Sequence, residues 1–208
     1  MKKIIPYKTT TNALATLDNG GRFYNLATKA NDGNISSAEL SKVAGFFSDK
    51  QKMILYLEMS LIELDKESRK KVLTKLSQNL KSAHSKYLPQ IMTPSEAVRR
   101  AKVSSSAIVT GIPKLVDSKT EFTGFIMIPI STGKTTTFTM IPIFDQYDVY
   151  ELRDNETSEE FLVAHNRSSR KLDQILIRCA GVIKELRQSK KEKKASNIFL
   201  EMLYYTPL

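Results

Sequence analysis

The stretch Leu172-Asp173-Gln174-Ile175-Leu176-Ile177-Arg178-Cys179-Ala180-Gly181-Val182-Ile183-Lys184-Glu185-Leu186 decides how the second half of this 208-residue chain is built. Leu172, Ile175, Leu176, Cys179, Val182, Ile183 and Leu186 recur at steps of three and four, the spacing that gathers apolar side chains on one face of a helix. Read this way, residues 169–186 form a long amphipathic helix with Ser168 or Ser169 as its N-cap. Cys179 then lies on the apolar stripe, where a free cysteine behaves as a small core residue and its thiolate is disfavoured.

Upstream of that stretch the period changes from helical to alternating. Residues 107–112, 122–130, 136–143, 147–153 and 160–165 are rich in β-branched and aromatic side chains and are separated by Gly, Asp, Asn and Ser, the pattern of an antiparallel meander of four or five strands. Two of them share Phe-x-Met-Ile-Pro-Ile, beginning at Phe125 and Phe138, and are expected to pair as a hairpin across residues 131–137. Pro129 and Pro142 lack a ladder donor, so each must occupy a bulge or an edge.

The first half reads as helical. In Ile35-Ser36-Ser37-Ala38-Glu39-Leu40, Ser36 and Glu39 can cap each other reciprocally while Ile35 packs on Leu40. Ser48 with Gln51 opens a second helix over 49–64, apolar around most of its circumference and hence buried. After Asp65 comes a third, with Val72, Leu73, Leu76 and Leu80 as a narrow stripe and Lys66, Arg69, Lys70, Lys71, Lys75 and Lys81 on its other faces. Pro89 ends it, and Thr93-Pro94-Ser95-Glu96 starts a short helix reaching about Lys102. Residues 1–20 show no period and are expected to be irregular, while 198–205 suit a helix or a strand equally. The expected fold is α+β: an N-terminal helical subdomain over 1–90, packed with an antiparallel β-meander in 91–208 that is followed by the long amphipathic C-terminal helix. One continuous domain is the alternative.

Composition bounds the function. The net charge of +10 is unevenly spread: residues 1–100 carry 17 Lys and Arg against 9 Asp and Glu, 101–168 carry 6 against 9, and 169–208 carry 9 against 4. Positive charge therefore concentrates on the segments read as helical, which suggests a polyanionic partner for them. The single cysteine excludes a disulfide framework and a thiolate metal cluster and suits a reducing, cytoplasmic compartment. The opening Met1-Lys2-Lys3-Ile4-Ile5-Pro6 breaks its apolar run too early for a signal peptide. The longest uncharged run, 122–133, is well short of the ~20 apolar residues that cross a bilayer, so no membrane insertion is expected.

The motifs that could carry chemistry are incomplete. Gly133-Lys134-Thr135 resembles the end of a phosphate-binding loop, but Ile128 stands where its first glycine belongs and a strand-forming sequence follows. Asp32-Gly33-x-Ile35-x-x-x-Glu39 matches the second half of an EF-hand loop, whereas Thr28 and Ala30 replace two of its ligands. Among Asp145, Asp148, Glu151 and Asp154, residues three apart on a strand face opposite ways, which argues against a joint metal site. Cys179, His84 and His165 complete the inventory for nucleophilic catalysis, with no glycine elbow around any serine. The loop after His165, with Arg167, Arg170 and Lys171 beside the start of the expected helix, would make an anion site.

These features favour a non-enzymatic binding or regulatory protein that contacts nucleic acid or another polyanion through basic helices. The expected contacts are Lys70, Lys71, Lys75 and Lys81, with Arg167, Arg170 and Lys171 as a second patch, and neither cofactor nor metal is called for. A protein-interaction or assembly factor is the second possibility, its Phe-x-Met-Ile-Pro-Ile strands or residues 198–205 adding to a partner. An enzyme using His165 and nearby polar groups is the third. The turn over 28–39 is expected not to take up calcium at physiological levels; a dissociation constant near micromolar in calorimetry would overturn this.

Overall fold

The structure is a computed structural model that describes residues 1–21, 28–116, 124–131, 136–142, 147–153, 159–166, 170–188 and 198–208. The chain divides into two compact units, one comprising Lys3–Pro89 and the other Met1–Lys2 with Gln90–Leu208.

The first unit is helical. Its helices are α1 (Thr10–Leu17), α2 (Ser37–Ala44), α3 (Lys50–Ser60), α4 (Lys66–Thr74) and α5 (Gln78–Tyr87). Helix α1 lies in the segment expected to be irregular. Thr9 caps it by accepting from the Asn12 amide at 3.2 Å, and Ala13 and Leu17, four apart, are fully buried. Helix α2 has the expected capping box of Ser36 and Glu39 and ends at Gly45 in the left-handed region, φ 81°. Helix α3 is capped by Asp49, one residue beyond the expected Ser48, and every residue from Met53 to Ser60 is buried.

The expected third helix is in fact two. Ile35 breaks it: its amide donates to the Lys75 carbonyl (2.8 Å) and its carbonyl accepts from the Ser77 amide (2.9 Å). This bridge takes up backbone groups at the junction, so α4 stops at Thr74 and α5 restarts from Ser77 as N-cap. Val72, Leu76 and Leu80 are all buried, as the single stripe required.

The second unit holds β1 (Lys2–Lys3, beginning in this unit), β2 (Gln90–Met92), α6 (Pro94–Arg100), β3 (Ser106–Leu115), β4 (Gly124–Ser131), β5 (Thr136–Pro142), β6 (Tyr147–Arg153), β7 (Glu160–Asn166), β8 (Ile177–Gln188) and β9 (Ile198–Pro207). Helix α6 has the expected capping box of Thr93 and Glu96. The spans of β3 to β7 match the alternating segments closely, and β4 pairs with β5 as the expected hairpin, Phe125 opposite Pro142 and Pro129 opposite Phe138.

The fold class expected from the sequence is overturned here. The long amphipathic C-terminal helix is absent: residues 177–188 are the strand β8, and the chain runs into another strand, β9. Nor is the sheet a simple meander. Its order is β9-β7-β6-β3-β8, and β8 pairs back onto β9, so five strands close into a barrel from which the β4–β5 hairpin extends. Strands β7 and β9 run parallel, whereas the other pairs of the barrel are antiparallel.

The helical spacing misled for a physical reason. Residues 179–183 are buried on both faces, and a strand of that kind shows an unbroken apolar run rather than alternation. Ile175 and Leu176, needed for the helical stripe, are 45% and 37% exposed. Strand β8 gains backbone partners on both edges, from β3 far upstream and from β9, the next strand in the chain. Tyr150, Leu152, Phe161, Val163, Cys179, Ile183 and Leu200 form the core between them, and burial pushes the Cys179 thiol pKa up.

Closure requires glycine at two places. The register of β8 against β9 shifts between Ala180 and Gly181, and a Cβ on Gly181 would lie 2.1 Å from the Glu201 carbonyl oxygen. On β3, a Cβ at Gly111 would lie 2.5 Å from the Arg153 carbonyl oxygen, where pairing passes from β8 to β6. In both cases the obstacle is backbone, which cannot swing aside. Gly181→Ala is therefore expected to destabilise the protein by at least about 1–3 kcal/mol, the usual range for overpacking, measured as a lower urea midpoint. An unchanged midpoint would show that the β8–β9 seam is not closed as described.

A candidate anion-binding groove in the helical unit

Glu58 is the only acid on α3 and its side chain is 2% exposed, inside a run that is otherwise apolar or small apart from Tyr56. A carboxylate so placed needs compensation. It comes from the two following helices: Oε2 accepts from Arg69 Nη2 on α4, and Oε1 is 2.8 Å from His84 Nε2 on α5. Each oxygen thus has its own partner, and three helices are tied at one point.

Arg69 and His84 are 27% and 19% exposed, and both face a groove of about 750 Å³. Lys66, Arg69 and Lys70 line it from α4, and Lys81, His84 and Ser85 from α5. Leu64 and Leu76, almost wholly buried, give it an apolar floor together with the half-buried Leu73. Among the described residues no acid lines it. Because Glu58 is already paired behind the wall, the lining is of one sign, the condition for a field that attracts anions.

The structure thus brings together two of the seven expected contact residues, Lys70 and Lys81. Lys71 and Lys75 are exposed but do not line the groove, and Lys75 Nζ reaches towards the Gly33 turn, 3.4 Å from where a Cβ on that glycine would lie. On α4 they lie well round the helix from Lys70, at about 100° per residue, whereas Lys81 on α5 returns to the groove side. Arg170 and Lys171, exposed, belong to the other unit, and Arg170 lies 4.0 Å from Asp173. Arg167 falls outside the described residues. The helix N-terminus that was to complete their anion site does not exist, since residues 170–176 lead into β8.

Lys66, Arg69, His84 and Glu58 were not among the expected site residues. The signal for them was Glu58 itself: a charge in a helix apolar all round announces buried partners, and the nearby cations are the available ones.

The remaining motifs have structural roles. In the turn before α2, Glu39 Oε1 accepts from the Gly20 amide and Oε2 from the Ser36 amide, both at 2.7 Å, while Asp18 accepts from the Asp32 and Gly33 amides at 3.2 and 2.8 Å. Within the loop itself, Asp32 Oδ1 accepts from the Asn34 amide at 2.9 Å. His165 is fully buried and stacked on Tyr150, ring centroids 5.4 Å apart. Asp148 is buried, and Glu151 shares Arg153 with Glu160. Burial, and secondly the charge of Glu160, hold the Glu151 carboxyl above the usual range. Gly133-Lys134-Thr135, Asp145 and Asp154 fall outside the described residues.

No helix among the described residues is long and apolar enough to cross a membrane. Comparison with known proteins finds no protein-family model that matches the chain and no curated relative with a significant match.

Glu58→Gln keeps the shape of the side chain but removes the charge that Arg69 and His84 answer. It is expected to lower stability by about 1–3 kcal/mol, the range for a buried polar group left badly matched. Chemical denaturation checks this, and an unchanged midpoint would show that the cluster ties nothing together.

Proposed function

We propose that this is a non-enzymatic binding protein that holds nucleic acid, or a polyanion like it, by its phosphates in the groove between α4 and α5. One observation carries the proposal: Lys66, Arg69, Lys70 and Lys81, from two helices, line one concave surface without an opposing acid. Neutralising phosphates releases condensed counterions, so even a few lysines give measurable affinity at low salt. The excess of positive charge on residues 1–100 supports the same reading, and a buried lone cysteine suits a cytoplasmic home for it.

The barrel unit supports the reading less. Some five-stranded barrels bind oligonucleotides, but a fold does not assign a function, and here β6 and β7 carry Glu151 and Glu160 around a single Arg153. A different observation on that unit favours a second reading, a surface for a protein partner. The Leu208 amide donates to the Leu176 carbonyl (3.0 Å), which brings exposed Leu208 beside exposed Ile175 and Leu176. Apolar side chains grouped in the open are a common mark of interaction surfaces.

Fluorescence anisotropy with labelled oligonucleotides at several salt concentrations tests the first reading. With three or so phosphates contacted, log K is expected to fall against log salt with a slope of about −2 to −3. Replacing Lys66, Lys70 and Lys81 together by Glu is expected to abolish binding, whereas Lys71→Glu with Lys75→Glu changes it far less. Absence of binding below about 100 μM at low salt, where non-specific contacts are visible, would sink the reading.

A further inference from the structure

The groove has more than charge, and its other features point to the form of nucleic acid it takes. We infer, resting on the reading above, that it accepts a single strand with one base unstacked and inserted, and that it discriminates against duplex. A phosphate backbone alone needs only exposed cations, and Lys66, Lys70 and Lys81 provide them. It makes no use of an apolar floor of Leu64, Leu73 and Leu76. A nucleobase does, because its faces are poorly hydrated and its area is of side-chain size. About 750 Å³ is also within the ~300–1,000 Å³ of concavities that enclose small ligands, room for a nucleotide.

The wall carries two planar groups, the Arg69 guanidinium and the His84 imidazole, and Glu58 holds both. Unstacked bases pack on arginine and histidine planes as well as on aromatic rings. Because His84 Nε2 is engaged by Glu58, what the ring gives a ligand is its flat surface rather than that nitrogen. The buried acid therefore acts as a positioning residue, fixing two stacking surfaces beside a ring of lysines. In a duplex the base is paired and stacked, and extracting it works against both.

The test uses the full chain and fluorescence anisotropy at low salt. The probes are a single-stranded oligothymidylate, the same strand with abasic sites through its centre, an oligouridylate and a duplex of equal length. The single strands are expected to bind at least tenfold more tightly than the duplex, and the abasic strand to fall to the duplex level. His84→Leu and Leu73→Asn, each checked for native circular dichroism, are expected to weaken single-strand binding by roughly 5- to 100-fold, the range for loss of one stacked base, while sparing duplex binding. The abasic arm needs no variant, so the inference remains testable if either substitution unfolds the protein. Equal affinity for single, abasic and duplex strands, all lost in the Lys66, Lys70, Lys81 triple variant, would overturn the inference and leave the polyanion reading standing. No binding to any oligonucleotide overturns both.

Discussion

The helical unit depends on how one buried charge is answered. Glu58 lies on the most buried helix of that unit, and neither of its oxygens could be left without a partner at that depth. Its partners come from the next two helices in the chain, which fixes where α4 and α5 stand over α3. The same arrangement turns the outer surfaces of Arg69 and His84 to the groove. Support of the fold and presentation of the candidate site are thus one interaction seen from two sides.

Such a device has a physical logic for an anion site. Surface lysines attract phosphate with little orientation, since each is a flexible point charge. A guanidinium and an imidazole held by a buried carboxylate lose that freedom before any ligand arrives, so a ligand is not required to order them. Lys66, Lys70 and Lys81 can stay mobile around this fixed centre without loss of attraction. The groove combines a rigid wall with a flexible rim.

The barrel unit rests on a different constraint, steric rather than electrostatic. Closing five strands brings backbones together more closely than side chains permit, and at Gly111 and Gly181 the missing Cβ is the condition of closure. Cys179, on the same strand as Gly181, is locked in the core by that closure, where its thiol is apolar filling. The free edges that remain belong to the short β1 and β2 and to the β4–β5 hairpin, as far as the described residues go.

The sequence by itself determined what is local. The caps of α2, α4 and α6 were legible because Ser36, Asp65 and Thr93 act within three residues of themselves. So were the spans of β3 to β7 and the Phe-x-Met-Ile-Pro-Ile hairpin, and the burial of α3, whose apolar residues ring it. Lys70 and Lys81 were named together with Lys71 and Lys75 on charge alone, although helical spacing already sets 70 and 81 near one line and 71 and 75 away from it. What no local signal could show was the backbone bridge of Ile35, distant in sequence, which divides one apparent helix into two. The same holds for residues 177–188: apolar spacing suits a helix in isolation, yet β3 and β9 supply hydrogen bonds along both edges, and a chain segment adopts the form that pairs its buried backbone. Only the tertiary structure could decide between them, because the deciding partners are not neighbours in the chain.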